Sequence, residues 1–581
     1  MNGRTAITLP RLFIAAIMFA FLSTANVMAN SFFWQGTDIF SDSGPRGLID
    51  YKKQKELHNA ILKTMPIILY PDTPLDRMGN PRPLPPSYTP ELDGLPNPDG
   101  GVDMNGGLTR MPDGVLQGNR GLRIPCEPGK CWDGYTLLNA FVGPGFTSGV
   151  ILIDMEGKIV HQWPGAGGSF FGAAKMLDGG YVVSGEGGDL VQRDWCGNEV
   201  KRFENLSNHH DHQREGSTDG YYYPGKAAFT NKGKTLSLGS EIPPVEETLN
   251  IVDVNRFDPG RPDRPITDDI IREIPWNWDG TNALFEWRAR DHFDNLGPGD
   301  LGLGIAEDEA AQYALDLGLN SSGGGNSWGT GSEDWSHGNS VAWLGNNIWY
   351  TKYRDERFHP ENIIADFRSL NVTVIIARYD HPNGDWVAGD IVWRLGPNYG
   401  TDGPDGKVGQ IVGQHMAYMI PDTVPGGGNI MVFDNGGGAG YGALIEGLTD
   451  DHGTPDDYTD DVKLGVWMNK FRNFSRVLEI NPITKQIVWQ YVQAKPTSGS
   501  STGNDHKFYS NIMSGAQRLA NGNTLITEAD TGRIFEVTRE GVVVWEFAPD
   551  WVSGGGFFGA VYRAYRVPKH WIPKGNAGVC E

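Results

Sequence analysis

Positive charge is scarce in this chain. Its 49 lysines and arginines face 71 aspartates and glutamates, for a formal net charge of −22 over 581 residues. A surface so acidic lacks the basic face that nucleic-acid phosphates need, which excludes DNA and RNA as general partners but leaves room for a local cationic pocket. Cysteine is scarcer still. The four residues Cys126, Cys131, Cys196 and Cys580 form no Cys/His spacing of a zinc site, so no metal is expected. Long apolar runs are also missing. Leu12 to Leu22 is a largely apolar stretch of 11 residues, too short to cross a bilayer, and nothing after it approaches that need.

What is present is glycine, 79 residues, with 37 prolines and a hydrophobic fraction of 39%. That composition supports a buried core built from short strands and many turns. The N-terminus has the form of an export signal: Arg4 and Arg11, the apolar run, then Val27-Met28-Ala29 as a small-residue cleavage site. The expectation is a signal peptide over 1–29, with an uncleaved anchor as the alternative, and a periplasmic or secreted protein. In an oxidising compartment Cys126 is expected to pair with Cys131, and Cys196 with Cys580; buried free thiols are the alternative.

Residues 30–130 read as an arm. Asp50 to Thr64 has helical spacing, and the stretch that follows is linker-like in its Pro, Gly, Asp and Asn content. Such an arm suits wrapping around the main domain or meeting a second subunit, as in a homodimer. Over 131–581 a unit of short strands recurs. Gly149 to Asp154 turns into Ile159 to Trp163; Arg476 to Ile480 precedes Gln486 to Tyr491; and Asn523 to Thr527, Gly532 to Val537 and Val542 to Phe547 repeat it most cleanly. Closings of the form V-W-x-[FY] mark propeller blades, and about six copies fit, so the fold class is all-β, a six-bladed β-propeller. A helix over Glu309 to Leu317 interrupts it, and the acidic 450–461 segment reads as a solvated loop without the order of a calcium loop.

Three histidine-bearing segments stand at matching phases of the repeat: Asn208-His209-His210-Asp211-His212, Ser336-His337-Gly338-Asn339-Ser340 and Gly413-Gln414-His415-Met416. Equivalent strand starts of a propeller face one channel, so residues far apart in sequence ring one ligand. Arg354, one strand after His337, is expected to face it too. A ring of imidazoles, an amide and a guanidinium suits an oxyanion such as sulfate, with one neutral imidazole as nucleophile and the others as donors. No cofactor is needed by this logic. Near Gly233-Lys234-Thr235, Ala228 stands where a phosphate loop needs glycine.

The H-H-D segment, D-W-x-H-x-N-S, the G-Q-H start with G-N-I-M-V-F-D-N-G, and N-T-L-I-T with G-R-I-F-E-V and V-W-E-F together resemble the bacterial arylsulfate sulfotransferases, which work without PAPS. The resemblance runs from about Gly149 to Pro549. It implies transfer of a sulfuryl group from an aryl sulfate donor to a phenolic acceptor through a sulfohistidine. His415 matches the nucleophile, His337, Asn339 and Arg354 match sulfate-holding positions, His210 the remaining histidine, and Thr527 a sulfate-touching threonine. The cluster leaves His209, His210 and His212 open as the histidine that faces the site, with His209 a candidate substrate contact. Phe170 and Phe171 offer an aryl-stacking surface or core packing, and His506 is a further candidate for the channel. The arm does not resemble the β-sandwich that precedes the propeller in other members. The competing readings are a non-catalytic exported propeller, an aryl sulfate hydrolase and a quinone-dependent dehydrogenase. The last would want a metal-binding carboxylate cluster and eight blades, neither of which is evident.

Overall fold

The computed structural model describes residues 121–142, 147–163, 165–166, 172–216, 228–244, 266–293, 333–334, 336–368, 370–396, 408, 411–436, 444–445, 449–450, 462–463, 466–467, 474–492, 508–510, 512–549, 561–573 and 580. The expected signal peptide, most of the expected arm, the helix expected at 309–317, the acidic 451–461 stretch, Phe170, Phe171 and His506 lie outside them.

Strands form where apolar residues run between turn signals. Asp154-Met155-Glu156-Gly157-Lys158 shows the punctuation: Asp154 Oδ1 accepts the Glu156 and Lys158 amides at 3.0 and 2.8 Å, and Gly157 takes φ 77°. Such turns link antiparallel strands into six sheets of four or five strands, the blades of a β-propeller. Blade II runs from Lys175–Leu177 to Glu199–Phe203, and blade III from Asn208–Arg214 to Phe285–Arg288. Blade IV runs from Gly338–Trp343 to Ile391–Leu395, and blade V from His415–Met419 to Gln486–Val492. Blade VI spans Gly515–Arg518 to Val543–Ala548.

Blade I closes the ring. Its inner strand, Val561–Val567, comes from the far end of the chain and pairs with Tyr135–Val142, which continues to Thr147–Ile153 and Ile159–Trp163. Gly121–Ile124, placed in the arm by its composition, adds a fifth strand to blade VI by pairing with Val543–Ala548. The propeller therefore starts earlier than the change of pattern near Trp132 suggests. Both expected disulfides are present: Cys126–Cys131 closes a local loop after the first strand, and Cys196–Cys580 ties the C-terminal end to blade II.

The aromatic closings hold one blade to the next. Five outer-strand tryptophans are buried, and each donates its indole N–H to a carbonyl of the following blade: Trp163 to Gly180 (3.1 Å), Trp287 to Gly389 (2.9 Å), Trp393 to Pro482 (2.7 Å), Trp489 to Arg539 (2.7 Å) and Trp545 to Met155 (2.8 Å). Apolar area and a fixed donor thus come from one side chain. Blade II has Phe203 at that place, and the direction reverses: Trp278 of blade III donates to Glu204 O at 2.8 Å.

The inner strands are joined by side chains that accept backbone N–H groups of the next blade. Gln213 takes Trp343 (2.6 Å), Ser340 takes Ala417 (3.0 Å), Tyr418 takes Arg518 (2.8 Å) and Gln517 takes Arg566 (2.7 Å). These buried polar groups have partners that only the correct blade order supplies, so the ring is specified as well as packed.

Candidate active site

The inner strands carry a repeated irregularity at one end. Their pairing slips beside His210, His337 and Met416, and these three residues, with Met513 in blade VI, take φ of 56°, 50°, 51° and 59°. A left-handed backbone costs a side-chain-bearing residue roughly 1–2 kcal/mol. Four such positions on successive blades mark one ring where pairing is given up to aim side chains.

His415 opens blade V at that ring and is 1% exposed. Its Nδ1 lies 2.7 Å from Asn435 Oδ1 and 3.0 Å from Gly413 O. The Asn435 amide nitrogen donates to Ser510 O and Met513 O at 2.9 and 3.0 Å, so its oxygen must face the imidazole. Nδ1 therefore carries the proton and Nε2 the lone pair. A second contact requires the same tautomer: the Met513 N–H donates to His415 Nε2 at 3.1 Å. Burial, then the nearby Arg368 charge, hold this imidazole well below the ordinary histidine range, partly opposed by the Asn435 bond, so it is neutral near pH 7.

Around it stand the other imidazoles. The His210 and His337 rings meet edge to face, 4.9 Å between centroids, and His209 Nδ1 is 2.7 Å from His210 Nδ1. Burial lowers His210 strongly, and His209, His337, His415 and Arg563 lower it further. The three-way choice within the cluster is thereby narrowed. His210 feels both His337 and His415, whereas His212, two residues on, is depressed to about 3 by burial and then by Lys175.

Asn339 spans the backbone on both sides of the nucleophile candidate: Nδ2 donates to Gln414 O at 2.9 Å and Oδ1 takes the Met416 amide at 3.4 Å. Thr527 pairs opposite Gly515 and accepts the Ala564 N–H at 3.0 Å, leaving its own hydroxyl proton to donate.

Arg354 is not brought to this ring. Blade IV pairs Gly338 with Phe367 at the ring end and Trp343 with Ile363 at the other. Arg354 lies in the connection between the far ends, exposed, after the helix Ile348–Thr351 capped by Asn347. A strand of six residues puts it roughly 20 Å from His337. The same register returns Arg368 to the ring end. It is buried, its amide donates to His337 O at 3.1 Å, and its charge acts on His415. The second guanidinium at the ring is Arg563, on the closing strand of blade I. It contacts Asp211 Oδ2 (3.3 Å) and Asn339 O (3.2 Å). Reading the sequence missed Asn435, Arg368 and Arg563. Asn435 follows directly on the strand that pairs with His415, which was a usable signal; Arg563 had none, because its blade is completed from the opposite terminus.

Among the described residues no three His, Cys, Asp or Glu side chains are grouped to hold a metal ion, and no helix is long and apolar enough to cross a membrane.

The buried imidazoles make stability depend on pH with a definite sign. Unfolded, each takes up a proton near pH 6.5; folded, His212 does so only at about 3. Between those values the unfolded chain binds the extra proton, so stability falls as pH drops through 6.5 and keeps falling to about 3. Melting curves between pH 7 and 4 are expected to show this fall, with a shallower slope for His212→Gln. An unchanged slope in that variant would mean His212 is not held neutral.

A family model described as Arylsulfotransferase (ASST) matches residues 133–544. No curated protein matches the chain. Two solved structures are similar over much of its length. A crystal structure of a protein of unknown function from Bacteroides caccae is 11% identical and aligns over 75% of this chain and 99% of that one, with a TM-score of 0.35. A crystal structure of the eukaryotic initiation factor is 8% identical over 70% and 82%, with a TM-score of 0.21. At those scores neither carries an argument.

Proposed function

The chain belongs to the arylsulfotransferase family, and from that membership we propose that it moves a sulfuryl group from an aryl sulfate to a phenol through a covalent adduct on His415. The observation that carries this reading is the fixed tautomer of His415: Nδ1–H on Asn435 and Gly413, lone pair at Nε2, in a site that keeps the ring neutral.

In the first step Nε2 attacks sulfur. The N–S bond forms as the S–O bond to the aryl oxygen breaks, and that electron pair leaves with the phenolate. The imidazole gains positive charge, which the Asn435 and Gly413 oxygens offset at Nδ1. The Met513 N–H, which holds the lone pair in the free protein, has to release it and then stands beside the new sulfuryl group. Arg368, Arg563 and His337 supply positive charge and donors where the sulfuryl oxygens gather charge. In the second step a phenol oxygen attacks sulfur, its proton passes to His210, and the N–S electrons return to His415 as a lone pair. Two steps through one nucleophile make the kinetics ping-pong. With the export signal expected over 1–29, we propose that the reaction runs outside the cytoplasm.

A chromogenic aryl sulfate tests this. With the enzyme alone, about one nitrophenolate per site is expected in a burst; with added phenol, steady turnover and phenyl sulfate. Equal steady release without phenol would make the protein a hydrolase. No release at all would leave a binding module.

A further inference from the structure

We propose that Asp269 and His209 form a proton outlet behind His210, setting its tautomer and carrying the acceptor's proton towards solvent. The inference rests on the transfer reading above and concerns its second step.

Asp269 is buried on the third strand of blade III, Ile266–Ile274. Its Oδ2 accepts the Ser336 hydroxyl and the Gly338 amide, the latter at 2.6 Å, and these two residues flank His337. Gly338 fits because it lacks a side chain: a Cβ there would come within 3.2 Å of the Asp269 carboxyl carbon. The other oxygen, Oδ1, lies 3.1 Å from His209 Nε2. One carboxylate therefore fixes the His337 turn and the His209 ring together.

The tautomers follow in sequence. An ionised carboxylate only accepts, so His209 Nε2 carries a proton. In the neutral ring Nδ1 is then an acceptor. His210 Nδ1, 2.7 Å away, must be the donor of that pair. His210 is left with its acceptor nitrogen at Nε2, the form a base requires. When the phenol O–H bond breaks, Nε2 of His210 takes the proton, and the Nδ1 proton crosses to His209 Nδ1. His209 becomes an imidazolium against the Asp269 carboxylate. His209 is the member of the chain that meets water: its side chain is 22% exposed, while His210 and Asp269 are buried. The device is thus a positioning carboxylate, a relay imidazole at the surface and a base inside.

The test separates the two half-reactions of the full-length enzyme. In Asp269→Asn the new amide donates to His209 Nε2, forces its proton to Nδ1, and so turns His210 into a donor at Nε2. Transfer to a weakly acidic phenol is expected to fall about 100-fold, the scale of a lost general base. The defect should shrink steadily with more acidic acceptors, which arrive as phenolates with no proton to remove. The nitrophenolate burst, whose leaving group needs no proton, is expected to change less than about threefold. His209→Gln, at a partly exposed position, should give the same acceptor-dependent defect because an amide does not relay protons. A loss of equal size for every acceptor, or a burst slowed as much as turnover, would overturn the relay. No burst in the unaltered enzyme would instead sink the covalent reading itself.

Discussion

His415→Ala is expected to lower sulfuryl transfer from 4-nitrophenyl sulfate to phenol by about 10,000-fold or more, the order seen when a covalent nucleophile is removed. The size follows from the absence of a substitute. His210 and His337 stand nearby but serve as base and donor in the transfer, whereas the His415 lone pair is placed for attack by two independent partners, Asn435 and Met513. Protein quenched during turnover should carry one added sulfuryl group on the peptide containing His415, and the variant none. The substitution leaves the Asn435 oxygen and the Met513 amide without their imidazole. Far-ultraviolet circular dichroism and the melting temperature should therefore be compared with the parent protein before the rates are read. A folded variant that still gives a burst, or an adduct found on another histidine, would remove His415 from the role.

The architecture was legible because propeller blades advertise themselves locally. Alternation, glycine turns and the V-W-x-[FY] closings all lie within one blade, and the two tryptophans read as closings, Trp489 and Trp545, prove to donate to the next blade. The three histidine phases were visible for the same reason. What a local reading does not reach is ring closure. Val561–Val567 joins Tyr135–Val142, and Gly121–Ile124 joins Val543–Ala548, each across more than 400 positions, so Arg563 could not be placed. The arginine error has a different cause. Counting "one strand on" from His337 assumes a short connection, whereas blade IV inserts the Ile348–Thr351 helix and a second turn at Glu356–Phe358 before its next strand. The residue at the ring is therefore found by strand register, at the end of the second strand, and not by distance along the chain.

That distinction yields the second large effect. Arg368→Met is expected to lower kcat/KM for sulfuryl transfer by about 100- to 1,000-fold, the range for losing one preorganised charged donor at a buried anion. Arg354→Ala is expected to change it less than about twofold, as for an exposed residue away from the site. The first variant keeps the length and apolar stem of the side chain and removes its charge. The sign of a second consequence follows from His415: the Arg368 cation, after burial, lowers its proton affinity, so removing it lets the imidazole hold a proton at higher pH. The acidic limb of the burst rate should accordingly move to higher pH in Arg368→Met and stay in place in Arg354→Ala. A rate loss without that movement would mean that the Arg368 side chain supports the ring by packing and does not act on His415 through its charge. The reverse ranking, with Arg354 essential and Arg368 dispensable, would mean that the working enzyme brings the far connection of blade IV to the ring and that the register argument fails.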